Sequence, residues 1–263
     1  MCLKLWNKLQ VYSRPTDLRD PVLLVSVSTS NPQYVLLYSQ ARELGKFLVS
    51  KLDFRLIASL YSSALAPEVQ VSADGIADLI SNNFYLYHGK DRDYLLFAGH
   101  ASPMGDEYEY SDIVLSFAKS LGVKELVSFG ARWSEETISP YAAPKVLGFS
   151  TDKTGTERLE QCEVEILKNE SALFFANTIV ALSKFYDMRG YKLSVDHGEP
   201  SPHPKSLIAF IQVLATLTGL TADTSDLQKE SKQLAEAIKR AEKELPSEQG
   251  EEGKYRDDRD LYR

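Results

Sequence analysis

Short apolar runs of strand character alternate with segments of helical period along most of this sequence, and that alternation leaves few folds open. Val22-Leu23-Leu24-Val25-Ser26-Val27 starts right after Pro21, is rich in β-branched residues and reads as a buried strand. Tyr34 to Ser50 follows at helical period, with Leu36, Leu37, Ala41, Leu44 and Leu48 on one stripe. Arg55 to Tyr61 is the next strand candidate. Phe84 to His88 and Tyr94 to Ala98 are two more, joined by Gly89-Lys90-Asp91-Arg92-Asp93, a composition that suits a hairpin connection.

The pattern continues past that hairpin. Ser111 to Leu121 reads as a helix, with Gly122 just past its end, where a left-handed C′ glycine belongs. Lys124 to Phe129 and Val146 to Phe149 read as strands, Ser171 to Met188 as a helix packed on a sheet, and Tyr191 to Val195 as the last strand. Pro204 to Leu217 is a long apolar helix, with its proline acceptable in the first turn. Strands and helices in this order predict an α/β fold: three layers, a mostly parallel sheet with helices on both faces.

After Gly219 the composition changes. From Asp226 the chain is charged, and Leu227, Leu234, Ile238, Ala241 and Leu245 form one narrow seam at heptad spacing. Lys232/Glu236, Glu236/Arg240 and Arg240/Glu244 add i,i+4 pairs on the flanks. This C-terminal amphipathic helix either lies on its own core or self-associates. Pro246 ends it, and the polar stretch that follows is expected to stay flexible. The expected organisation is an N-terminal extension (1–17), an α/β core (18–222), the amphipathic helix (223–245) and a flexible docking tail (246–263).

Charge narrows the partners. A net charge of -7 and a pI near 5.3 argue against nucleic acid or an anionic membrane surface, both of which need a positive face. The first residues hold no apolar run suited to a signal peptide, and no stretch approaches the roughly 20 apolar residues of a membrane span. Cys2 and Cys162 have no CxxC neighbour or histidine at ligand spacing, so neither metal nor disulfide is expected. A cytoplasmic protein without a cofactor is the expectation, and the sequon Asn169-Glu170-Ser171 is read as chance.

In a parallel α/β sheet, ligands bind beyond the carboxyl ends of the strands. Those ends supply Ser28, Thr29 and Ser30, then Gly99-His100, then Gly130-Ala131-Arg132. Hydroxyls, an imidazole and a guanidinium there form an alternative pocket for a phosphate or a ribose. The first turn holds no glycine, however, so neither a phosphate loop nor a dinucleotide fingerprint is present. His100 at a strand end is read as a structural residue rather than a general base. Asp106, Glu107 and Glu109 precede a helix, where carboxylates favour the positive helix end, so they are read as structural. His197 and His203 flank a proline-rich connection and are read as shaping a loop.

From Pro21 to about Leu220 the order of segments resembles the proteasome-assembly-chaperone family, particularly its archaeal members. The resemblance is carried by Pro21 to Ser28 leading into a helix, and by the strand, glycine and proline of Asp93 to Pro103. Val123 to Arg132 adds a strand ending in glycine, and Ser171 to Tyr191 a long helical stretch. The family's usual glycine-rich first turn is replaced here by Ser28-Thr29-Ser30-Asn31-Pro32-Gln33. The resemblance implies a nucleoside-phosphorylase-like fold without that activity, a role in assembling or activating 20S proteasomes, and homo-oligomers.

The last residues, Leu261-Tyr262-Arg263, fit hydrophobic-tyrosine-any residue, the tail motif of proteasome activators. A carboxylate on Arg263 suits a lysine between 20S α-subunits as a charge-assisted bond. Tyr262 is a rigid aromatic anchor with one hydroxyl, and Leu261 adds apolar contact. Residues 246–263 would tether the motif with a mean reach of roughly 20–25 Å. The leading expectation is an ATP-independent proteasome-binding factor, chaperone or activator, that is not an enzyme. The alternatives are a nucleoside-phosphorylase- or nucleosidase-like enzyme at the strand ends, and an oligomeric scaffold joined through the Leu227–Leu245 seam.

Overall fold

The computed structural model describes residues 6–27, 35–99, 101–133, 144–197 and 204–244. In chain order it runs β1 (Asn7–Val11), β2 (Val22–Val27), α1 (Val35–Lys51), β3 (Arg55–Ser62), β4 (Val69–Val71), β5 (Ala77–Leu79), β6 (Asn82–His88), β7 (Asp93–Gly99) and α2 (Glu107–Ser120). It continues with β8 (Glu125–Trp133), β9 (Val146–Ser150), α3 (Lys153–Gln161), β10 (Glu165–Ile166), α4 (Phe175–Ser183), a 3-10 turn (Lys184–Tyr186), β11 (Arg189–His197), α5 (Pro204–Thr218) and α6 (Ser225–Glu244).

Nine strands form one sheet in the order β1-β3-β6-β7-β2-β8-β11-β9-β10, and β4 and β5 make a separate small hairpin. The central strands β7, β2, β8 and β11 are parallel. The arm β1, β3, β6 joins them antiparallel, and β9 is antiparallel to β11. The sheet is therefore mixed, parallel at its centre. The short connection from His88 to Asp93 admits only a hairpin, whereas parallel neighbours need a crossover.

The α/β expectation holds because the central strands are apolar on both faces. Leu23, Val25 and Val27 of β2 pack into one core, with Val114 and Leu115 of α2 and Ile179 and Val180 of α4. Val22 and Leu24 pack into the other, with Leu44 and Leu48 of α1 and Phe210 and Leu214 of α5. The two cores make three layers. Among the described residues no helix is long and apolar enough to cross a membrane.

Two helix boundaries differ from the sequence reading. Helix α2 begins at Glu107 rather than Ser111 because the Asp106 side chain accepts the Glu109 N–H at 3.0 Å and caps it. Its far end is as expected, with Gly122 at φ +83°. Helix α4 is shorter than the expected 171–188, since Phe174 at φ +75° and Asp187 at φ +59° break the helical path on either side.

Candidate functional site

The chain leaves the core at the end of α5. Tyr94 of β7 donates its hydroxyl hydrogen to the Thr218 carbonyl at 2.8 Å, and Gly219 then turns at φ +84°. Asp223 accepts the Ser225 N–H at 3.0 Å as α6 begins, and Lys51 of α1 pairs with Asp226. Leu227 and Ser231 are buried against the core, Leu234 and Ile238 are half-buried, and Ala241 is exposed. The seam thus starts inside the protein and emerges into solvent over about 21 Å, at 1.5 Å per residue. Glu236 and Arg240 form one of the expected i,i+4 pairs at 3.8 Å. Leu245 and the tail residues Leu261, Tyr262 and Arg263 lie outside the described residues.

At the carboxyl ends of the central strands, Ser28, Thr29, Ser30 and His100 also lie outside the described residues. Arg132 is placed there, exposed, with Nη1 3.2 Å from Glu170 Oε1. Glu107 accepts the Thr178 hydroxyl at 2.9 Å and Glu109 accepts Asn7 Nδ2 at 2.8 Å, so with Asp106 as cap all three carboxylates have structural partners. Among the described residues no three His, Cys, Asp or Glu side chains gather as a metal ion requires. His197 ends β11, and His203 lies outside the described residues. Cys162 caps α3, half-buried, with burial pushing its thiol pKa up.

Sequence reasoning missed a lysine in the middle of β11. Lys192 in β11 is buried on the α2/α4 face, next to Ser194 and across from Ser128 and Gly130 of β8. The signal was present in the sequence: both faces of a central parallel strand are covered, so a lysine inside one is necessarily buried.

At the opposite end of the sheet, Glu125 accepts from Arg158, lies 2.8 Å from Arg92 Nη2, and accepts the Tyr191 hydroxyl at 3.3 Å. Burial pushes its carboxyl pKa up, yet the hydrogen bonds and charges of Arg158 and Arg92 outweigh this and hold it below the usual range. Arg158 also donates to the Leu217 carbonyl at 2.9 Å and lies over the Tyr191 ring, tying α3 to the end of α5.

An open groove of about 560 Å³ runs along α4, between that helix, β9 and the stretch that follows β10, with Tyr108 of α2 at one side. Its apolar wall includes Phe149, Leu167 and Leu182, while Tyr108 and Phe185 stand exposed at its rim. Exposed aromatics beside an open groove suit a protein surface rather than an enclosed reaction site.

A family model described as the PAC2 family matches residues 41–242, about three quarters of the chain. No curated protein matches the sequence. Among solved structures, Pyrococcus furiosus PbaB, an archaeal proteasome activator, is similar with a TM-score of 0.75 and 22% identity, over 90% of this chain and 98% of that one. Pyrococcus furiosus PbaA, an archaeal homolog of proteasome-assembly chaperone, gives 0.68 and 16%, over 90% and 92%. A Mycobacterium tuberculosis proteasome-assembly chaperone homologue gives 0.69 and 16%, over 87% and 97%. At these identities the likeness is one of fold.

Proposed function

This chain belongs to the PAC2 family, and we propose that it is an ATP-independent proteasome-binding factor that docks Leu261-Tyr262-Arg263 into pockets between 20S α-subunits. The observation that carries this reading is the stretch Leu261-Tyr262-Arg263, an apolar residue, a tyrosine and any residue; the reading assigns a carboxylate on Arg263 the role of pairing with a lysine. The emergence of α6 from the core supports it. Helix α6 is seated through buried Leu227, and its seam is exposed by Ala241, near the end that the proposed tether would follow. The similarity to a protein described as an archaeal proteasome activator supports the proteasome as partner.

The reading has the protein acting without catalysis, in the cytoplasm, as a homo-oligomer whose several tails engage one α-ring with avidity. Opening of the gate follows if the tail binds the open ring better than the closed one. An activator raises hydrolysis by preassembled 20S particles, whereas an assembly chaperone binds precursors and leaves mature particles unchanged.

The test is co-sedimentation of the intact chain with 20S particles, compared with a chain lacking residues 261–263 and with one extended by a glycine after Arg263. Binding by the intact chain alone is expected. Equal binding by all three would overturn the reading, because the extension removes the carboxylate from its place without altering the fold.

A further inference from the structure

Helix α1 packs over β2, β7 and β8, and at its middle it comes close enough to leave no room for a side chain. A Cβ on Gly45 would stand 2.6 Å from Ser26 Oγ and 3.3 Å from the Ala98 Cβ. Glycine weakens a helix relative to alanine, and here it permits that close approach. On the same face of the sheet, Asn83 of β6 pairs with Ala98, and Asn83 and Tyr85 are only half-buried. Between the helix and β6 lies a notch of about 290 Å³, closed by Gly45, Ala98 and Gly99 where helix meets sheet, with Val49 as an apolar side. That volume is at the lower end of the range for small-molecule sites.

The polar groups around the notch are mostly donors. Arg42, Lys46, Ser50, Ser81, Asn83 and Tyr85 line it, and among the described residues no carboxylate does. Arg42 and Lys46 lie one turn apart on α1 and share a single carboxylate oxygen, Glu43 Oε1, which is 3.4 Å from Arg42 Nε and 2.8 Å from Lys46 Nζ. Two cations against one carboxylate leave a net positive charge here, on a chain whose total is -7. Arg42 meets Glu43 through Nε alone, so among the described residues its two terminal nitrogens keep their hydrogens to donate. Those nitrogens are the fork that grips an oxyanion at two points. Across the notch, Ser81 donates to Asn83 Oδ1 at 3.1 Å, and Asn83 Nδ2 donates to the Tyr85 hydroxyl at 3.4 Å. Tyr85 therefore accepts from Asn83 and keeps its own hydrogen for a further acceptor.

We propose that this notch binds a small organic oxyanion, a carboxylate or a phosphate carried on a flat body. The oxyanion lies against Arg42 and Lys46, and the body lies against the Tyr85 ring and the apolar strip of Val49 and Ala98. A bare inorganic anion would leave the ring and the strip unused, and a neutral ring would leave the cations unused, so the ligand carries both features. The C-terminal tail plays no part in this site, so ligand binding here and proteasome docking stand or fall separately.

The test titrates the full chain with phenyl phosphate and with benzoate and follows backbone amide shifts by two-dimensional NMR. Benzyl alcohol supplies the ring without the charge, and inorganic phosphate the charge without the ring. Saturable shifts centred on residues 42–50 and 81–85 are expected with at least one of the two anions, and the tighter of them names the oxyanion the site prefers. Both reference compounds should bind at least tenfold more weakly, and added salt should weaken the aromatic anions. In a chain carrying Arg42→Gln and Lys46→Gln, affinity should fall at least tenfold while the rest of the spectrum is unchanged. No saturable shift at these residues with either anion up to about 10 mM would overturn the proposal. Equal binding by a reference compound, or by the doubly substituted chain, would overturn it as well. The reference compounds and the salt series use the unsubstituted chain, so the proposal stays open to refutation even if the double substitution disturbs the fold.

Discussion

The hydroxyl of Tyr94 in β7 donates a 2.8 Å hydrogen bond to the carbonyl oxygen of Thr218, the last residue of α5. Both residues are buried, so the bond fixes the point at which the chain leaves the core for α6. Tyr94→Phe keeps the ring and strands the carbonyl. The expected cost is about 1–2 kcal/mol in urea unfolding, with faster amide exchange in α6 than in α2. Unchanged exchange in α6 would show that this bond does not anchor it.

The two ends of the α6 seam should behave differently. Leu227 is buried against the core, so Leu227→Ala should cost about 2–4 kcal/mol. Ile238 is half-buried beyond the core, and Ile238→Ala should cost under about 1 kcal/mol while weakening self-association in sedimentation velocity. If Ile238→Ala leaves the sedimentation profile unchanged, the distal seam is not an oligomer contact.

Glu125 supplies an acid-side pH dependence. Its folded pKa is depressed below the unfolded value near 4.3, so its contribution is full above that value and fades as pH falls through the folded one. Glu125→Gln should therefore cost about 2 kcal/mol at neutral pH, and the difference from the unmodified chain should close in acid. Denaturant midpoints from pH 7 to pH 3 measure it. A difference that stays constant would mean that charge is not what Glu125 contributes.

Lys192 is a cost rather than a gain at neutral pH, and its pH dependence falls on the alkaline side. Its folded pKa near 7 lies below the unfolded value near 10.4, so between these values the unfolded chain binds more protons and stability rises with pH. Lys192→Met should be the more stable chain at pH 7, and its advantage should shrink toward pH 10. An advantage independent of pH would mean that the lysine is charged or solvated in the folded protein.

Much of the fold was legible because its central strands and main helices carry unambiguous patterns. Val22 to Val27 is apolar on both faces, and the Gly89 to Asp93 connection signals a hairpin. What escaped had no such pattern. Helix α3 has Leu159 as its one buried apolar side chain, so no stripe marks it, and its visible signal is Asp152, which caps it by accepting the Gly155 N–H at 2.6 Å. Strand β1 is a half-exposed edge strand that relies on its pairing with β3. The sequence reading placed Arg132 after a strand ending at Phe129, whereas β8 runs on to Trp133 and includes it, and Lys192 was passed over because its burial follows only once β11 is recognised as a strand covered on both faces.

The most direct measurement of the central claim is fluorogenic peptide hydrolysis by purified, preassembled 20S particles, with the intact chain added beside Tyr262→Ala. Removing an aromatic hot-spot side chain from each tail should cost at least 2 kcal/mol per contact, and avidity multiplies that loss. The account predicts stimulation by the intact chain and little or none by Tyr262→Ala at the same concentration. Equal stimulation by the two chains would contradict tail docking, and the absence of stimulation by either would remove the gate-opening role.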